Sequence, residues 1–373
     1  MNPAPADKLF KEDRLSKRER VMRTLNHQPV DRVAIHDQLS FNPRVISHYS
    51  GKHFDGFTFS VEDICAAIRQ TLDICFPPVA PKGKDRITTE DGFVIQHDEW
   101  THWVLQRPFQ DEHGARDWLI GRTKELRDRR FDPDAARARY RSRILGIQQM
   151  IGDTVIFDYP AATGLCSVYS DQGMGLEIFA YFYDAYPEVF QDYMEAFVAW
   201  ELRKLHAIAD ASLSPVVLIA EDFSTKQGPL FPPEFLARHH YPHVKALADG
   251  WRSHGYKVLY HSDGNYKKTI PALIGCGVDG FYCLEPNCGM DIVALKKEWP
   301  QMVWAGGVDG VDLLERGSPA QVRAEVHRHI RESNVLSEGG MFLASSSEIN
   351  PPIPLENFRA MVEAAGELRN PEV

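Results

Sequence analysis

Short runs that are apolar at nearly every position recur along the chain, and between them the apolar residues return every three or four positions. VDRVAIHD (30–37), DTVIFDYP (153–160), PVVLIAEDF (215–223), YKVLYHSDGN (256–265), VDGFYCLEP (278–286), QMVWAGGVD (301–309) and GGMFLASSSE (339–348) are the seven runs. Near-continuous apolar character over so few residues predicts strands covered on both faces, as in a parallel sheet. The intervening segments predict helices over 16–28, 132–152, 171–184, 187–211, 232–255, 266–277, 291–300, 318–333 and 354–370, with Asp171 and Pro187 as start signals for two of them. From 85 to 108 the period falls to about two around an Asp-Gly pair, which predicts a β-hairpin.

Seven strands alternating with helices, plus an eighth expected within the irregular 50–110 region, predict a (β/α)8 barrel of the TIM type. Its N-terminal third carries the hairpin in an insertion over about 50–130. Residues 1–16 are expected to be a flexible start, and 17–373 a single barrel domain. No GxGxxG or GxxxxGK[ST] follows any strand, which argues against nucleotide cofactors, and no GxSxG elbow argues for a hydrolase nucleophile.

Composition narrows the partners. With 43% hydrophobic and 25% charged residues the chain is ordinary for a globular enzyme, and a net charge of −10 opposes binding to nucleic acid or anionic membranes. The six cysteines form no CxxC pair, and no apolar stretch is long enough for a membrane span or a secretory signal. The expectation is a cytoplasmic protein with reduced thiols.

In such a barrel the chemistry gathers where strands end. The runs end in His36 and Asp37; in Asp158 and Tyr159; in Glu221, Asp222 and Phe223; in His261, Ser262 and Asp263; in Cys283, Glu285 and Asn287; in Asp309; and in Ser345, Ser346, Ser347 and Glu348. Acids and imidazoles dominate, as metal ligation and acid–base work both require. Each residue also has a plainer reading. Asp263 suits a helix N-cap, Glu221 and Asp222 suit pairing with an arginine such as Arg252, His36 suits a backbone carbonyl, and Cys283 suits the core. His239 and His243 have i, i+4 ligand spacing but sit mid-helix, away from the mouth.

RERVMRTLNHQPVDRVAI, EDFSTKQGPLFPPEF, VLYHSDGN, GVDGFYCLEPNCGMDIVALKKEWP, VWAGGVDGVDLLERGSPAQVRAEV and GGMFLASSSEINPPIPLENFRAM together resemble the uroporphyrinogen decarboxylase superfamily, over about 17–368. The resemblance implies a distorted (β/α)8 barrel and one of two chemistries. The decarboxylase branch uses an Arg-rich segment around Gln-Ala-Gly, for which this chain has HDQLSFNPRVISHYSG. The methyltransferase branch works with corrinoid proteins and binds Zn²⁺ through a His-x-Cys and a later Cys. Here His261 matches the histidine, Asp263 replaces the first cysteine and Ser347 falls near the second.

The resemblance therefore implies a methyltransferase that demethylates a small, methoxylated aromatic substrate and passes the methyl group to a corrinoid protein. Zinc is expected on His261, Glu221 and Asp263. Asp222, Glu348 and Asp37 are the expected catalytic groups, and His36, Tyr159, Phe223, Tyr282 and Ser347 the expected substrate contacts. No cobalamin-binding DxHxxG motif is present, so the corrinoid would come from a partner protein. A homodimer is a further expectation. The alternative is a cofactor-free decarboxylase of a carboxylated substrate, a tetrapyrrole or an aromatic, with Asp37, His261 and Asp222 protonating the carbanion.

Overall fold

In the computed structural model, which describes residues 9–373, the apolar runs form one ring of parallel strands. The strands are β1 (Ala34–Asp37), β2 (Ile74–Cys75), β3 in two pieces (Val155–Ile156 and Asp158–Ala161), β4 (Val216–Ala220), β5 (Lys257–His261), β6 (Gly280–Tyr282), β7 (Val303–Val308) and β8 (Met341–Ser345). Neighbours run β2–β1–β8–β7–β6–β5–β4. The first piece of β3 pairs with β2 and the second with β4, so the broken strand closes the ring. This is a distorted TIM-type barrel, and the eighth strand expected between 50 and 110 is β2.

Successive side chains on a strand point to opposite faces, which fixes what each strand contributes. On β4, Val216 and Leu218 join an apolar cluster inside the barrel, and Val217 and Ile219 join the shell under the helices. The same parity holds on β5, where Leu259 faces in and Val258 and Tyr260 face out, and on β8, where Phe342 and Ala344 face in.

The bottom of the barrel is closed by helix Lys17–Leu25, capped by the Ser16 hydroxyl on the Glu19 amide, with Val21 and Leu25 entering the interior cluster. Arg20 anchors it by bonding Asp31 at 2.7 Å and Asp73 at 2.8 Å, and Arg32 takes the other Asp73 oxygen at 2.7 Å. Residues 1–8 of the expected flexible start lie outside the described residues. Within 9–16, Asp13 pairs with Arg20 and Arg32 at 2.9 Å, and the Arg14 amide donates to Asp31.

The insertion is fuller than a hairpin. Arg86–Thr88, Val94–Asp98 and Thr101–Gln106 form a three-stranded antiparallel meander, its first turn at Asp91–Gly92, where Gly92 takes φ 89°. Helices Pro43–Ser50, Val61–Thr71 and Glu112–Asp128 flank it. Arg107, at the meander's exit, donates to the carbonyls of Gly173 at 2.8 Å and Asp171 at 2.9 Å, tying the insertion to the loop over the barrel mouth.

One predicted helix starts late and another is broken. The one expected over 171–184 is Leu176–Ala185, which starts at Gly175 and not at Asp171, and a short helix, Leu165–Tyr169, precedes it. Between them the chain folds back so tightly that a Cβ on Gly173 would lie 2.4 Å from the Ser167 and Val168 carbonyl oxygens. The helix expected over 232–255 splits into Pro233–His239 and Tyr241–Ser253, because Pro242 has no N–H to continue the ladder. Among the described residues no helix is long and apolar enough to cross a membrane.

Candidate active site

At the C-terminal end of the barrel a cavity of about 510 Å³ opens above Leu218 and Ala220. Its wall brings together Phe76, Tyr159, Asp222, His261, Asp263, Tyr282, Glu285, Ser347 and Glu348 with Gln38, Gln172 and Cys283. Strand parity explains the selection. His261 follows the outward Tyr260 and turns in; Asp222 lies two residues beyond the inward Ala220 and turns in as well.

The centre of the site is an Asp–His–Asp group. The His261 Nε2 lies 3.1 Å from Asp222 Oδ1 and 3.8 Å from Asp263 Oδ1. The Asp263 amide donates to the same Asp222 oxygen at 3.0 Å. Burial opposes a charged imidazole here, but the hydrogen bond to Asp222 and the charges of Asp222, Asp263 and Glu348 outweigh it, so His261 is pushed up to about 9. Burial raises Asp263 to about 6 against the pull of His261. Asp222, which receives the imidazole N–H, is held below the usual carboxylate range although burial works against it.

Asp263 does not cap the next helix. The Asn265 side chain accepts from the Lys267 amide instead, at 3.2 Å, and the Asp263 carboxylate is left for the cavity. Gly264, at φ 75°, lies so close to Ser224 and Thr225 that any Cβ would meet the Thr225 carbonyl at 2.7 Å; its amide donates to Glu285 at 3.0 Å. HSDGN is thus a turn that presents two side chains to one cavity and stitches β5 to the loops after β4 and β6.

Several expected site residues stand elsewhere. Glu221 has the outward parity, and its carboxylate accepts from the Thr163 amide (2.5 Å) and hydroxyl (2.8 Å), the Gly164 amide (2.8 Å) and the Cys166 amide (2.8 Å). Turned from the cavity and held by four donors, it does not join the ligand atoms that converge on His261, nor does it pair with Arg252. Phe223 also faces out, against His240 and Tyr260. Asp37 lies behind the wall, where it takes the Ser345 hydroxyl at 2.7 Å and amide at 3.1 Å; burial outweighs those bonds and raises it to about 7. His36 points inward but beneath the cavity floor, ringed by Phe76, Phe157 and Tyr282, its Nδ1 3.3 Å from the Ile74 carbonyl. Sequence reading missed Phe76 and Glu285; Phe76 directly follows β2, and Glu285 was noted as a strand end but given no role.

The thiols are not poised for ligation. Cys283 is buried with its Sγ–H on the Ser346 carbonyl, and burial pushes it far up. Cys288 donates to Glu285 at 3.0 Å, and burial with that bond pushes it up to about 12. The donor set that remains, Asp222, His261 and Asp263, has one ligand atom from each residue within 4.8 Å of the others. Three oxygen and nitrogen donors with an open side toward a cavity fit a catalytic zinc site, which holds three protein ligands and leaves a position free. A second convergence, Asp291, Glu325 and His329, is filled by Arg328, whose guanidinium bonds Asp291 at 2.6 Å and Glu325 at 2.7 Å.

No curated protein matches the chain. Among solved structures, a methyltransferase from Methanosarcina mazei superposes with a TM-score of 0.64 over 95% of this chain and 99% of its own, at 17% sequence identity, a likeness of fold. Residues 166–368 match the family model of uroporphyrinogen decarboxylase (URO-D); this is more than half of the 373 residues and holds every member of the Asp–His–Asp group, and the chain belongs to that family.

Proposed function

We propose that this protein is a methyltransferase: it takes a methyl group from a small methylated molecule in the cavity and hands it to a corrinoid carried by a separate protein. Zinc would be held by Asp222, His261 and Asp263. The observation that carries this reading is the convergence of those three ligand atoms within 4.8 Å at the barrel mouth. The Methanosarcina mazei methyltransferase, alike in fold over nearly its full length, supports it.

A divalent cation bound there would supply Lewis acidity toward a polar atom of the donor. The chain's own residues do the rest. Asp222 and Asp263 hold the charge balance around His261, and the Asp263 amide keeps Asp222 aimed at the imidazole. Glu348 lines the cavity with no ion pair or hydrogen bond on its carboxylate among the described residues, so it is free to face the bound donor. Phe76 and Tyr282, both nearly buried, exclude water from the floor, and the half-exposed Tyr159 stands at the rim.

The decarboxylase alternative meets an electrostatic obstacle. Asp222, Asp263, Glu285 and Glu348 line the cavity, and among the described residues neither lysine nor arginine does. A carboxylated substrate would be repelled, and Asp37, one of its proposed proton donors, does not reach the cavity.

The test is metal analysis joined to a methyl-transfer assay. Purified protein is expected to hold about one zinc per chain, and Asp222→Asn, His261→Ala and Asp263→Asn to lose it. With a reduced corrinoid protein, methylated donors should alkylate the corrinoid, read from its visible spectrum. Wild-type zinc below about 0.2 equivalents, unchanged in His261→Ala, would sink the metal assignment.

A further inference from the structure

The charge of the cavity exceeds what its metal trio uses. A divalent cation on Asp222, His261 and Asp263 would be matched by the two aspartates, which leaves the carboxylates of Glu285 and Glu348. Glu285 is partly satisfied by the Gly264 amide and the Cys288 thiol, both at 3.0 Å. Glu348 has no partner of its own among the described residues. A carboxylate in a partly dry cavity is unfavourable without a counter-charge, and among the described residues neither lysine nor arginine lines this one.

Aromatic rings supply an independent observation. Phe76 meets Tyr159 edge to face at 5.2 Å and 82°, and Tyr282 at 5.4 Å and 73°. Tyr282 also lies 5.5 Å from the His261 ring. Rings set nearly perpendicular to one another form a corner, and all three line the cavity. Such a corner beside unpaired carboxylate is suited to a cation with diffuse charge, since ring faces attract methylated ammonium groups that are only weakly hydrated.

We infer that the methyl donor is a small permanent cation, a methylated quaternary ammonium, seated in the Phe76–Tyr159–Tyr282 corner with Glu348 as its counter-charge. This rests on the methyl-transfer reading for the donor's role, and it replaces the neutral methoxylated aromatic, which would leave Glu348 unpaired. In the transfer the C–N bond breaks with its electron pair staying on nitrogen. The methyl carbon is taken by an electron pair of the partner's reduced corrinoid, and a neutral tertiary amine leaves. No proton is needed at the leaving atom.

Calorimetry on the zinc-loaded full-length protein tests this with choline, its neutral isostere 3,3-dimethyl-1-butanol, and methoxybenzene. Choline should bind at least about tenfold more tightly than the isostere, and Glu348→Gln should remove most of that difference while Glu348→Asp keeps part of it. Unchanged melting of both variants rules out a folding loss. Equal affinity for choline and the isostere, or choline binding indifferent to Glu348→Gln, overturns the inference. Methyl transfer from methoxybenzene with no choline binding overturns it too, yet leaves the methyltransferase reading standing. Choline binding without corrinoid methylation sinks that reading and upholds the cation site.

Discussion

Glu221 and Asp222 are adjacent acids at the end of one strand, and one turns toward the helices while the other faces the cavity. Their separation follows from the period of two that runs from Val216 onward: inward at 216, 218, 220 and 222, outward at 217, 219, 221 and 223. The expected ligand set took Glu221 because strand ends were pooled without regard to parity; counting from the apolar run would have chosen Asp222. The same count places Asp37 outside, two residues beyond the outward Ile35. A test follows for Glu221. Glu221→Ala strips the acceptor from three amides and a hydroxyl and should cost about 2–3 kcal/mol in urea unfolding, with zinc content unchanged. Loss of zinc at full stability would show that the carboxylate reaches the metal after all.

Elements were legible in the sequence where one physical signal dominated. The barrel strands stood out because both their faces are covered, and the helix at 17–25 because Ser16 caps it just before an apolar stripe. The insertion was obscure because its meander is partly exposed and its flanking helices are held by contacts distant in sequence. Helix Pro43–Ser50, for example, begins at an Asn42 whose side-chain N–H₂ reaches across to the carbonyls of Asn350 and Ile353. The basal helix illustrates the same limit. Its apolar face is readable, but its anchoring depends on Arg20 meeting Asp31 and Asp73, neither of which is marked locally as a partner. All three are buried, so among the described residues removing the guanidinium leaves Asp31 with backbone amide donors but no ion-pair partner, and Asp73 paired with Arg32 alone. Arg20→Met should destabilise the protein by about 3–5 kcal/mol in denaturant titration. A change below about 1 kcal/mol, the range of exposed pairs, would mean that water already screens this network.

Across the whole molecule, buried titratable groups set how stability varies with pH. Burial lowers His36 to about 3, against a weak pull from the Ile74 carbonyl, and lowers His240 to about 3, with His243 adding to it. Both are neutral in the folded state, and both take up a proton near pH 6.5 once unfolded. The unfolded chain therefore binds more protons between about pH 3 and 6.5, and stability falls as pH drops through that window. At pH 5 each histidine removes about 2 kcal/mol relative to neutral pH. Asp37 works in the opposite sense: raised to about 7 by burial, it favours the folded state at low pH and loses that contribution as pH rises from about 3.8 to 7. Asp263 at about 6 and His261 at about 9 work in the same sense as Asp37. His239, lowered to about 4 by burial, adds to the two histidines. The opposing contributions largely offset, so the slope from any one group is read by substitution. His36 allows the origin of the slope to be isolated, since Phe76, Phe157 and Tyr282 already surround it with aromatic faces. His36→Phe gives up one 3.3 Å bond to the Ile74 carbonyl and should melt slightly lower than wild type at pH 7.5. At pH 5 the order should reverse, because the variant has no imidazole to protonate on unfolding. Melting curves that stay parallel across this range would show that His36 ionises within the fold, and that the barrel floor beneath the cavity is open to water.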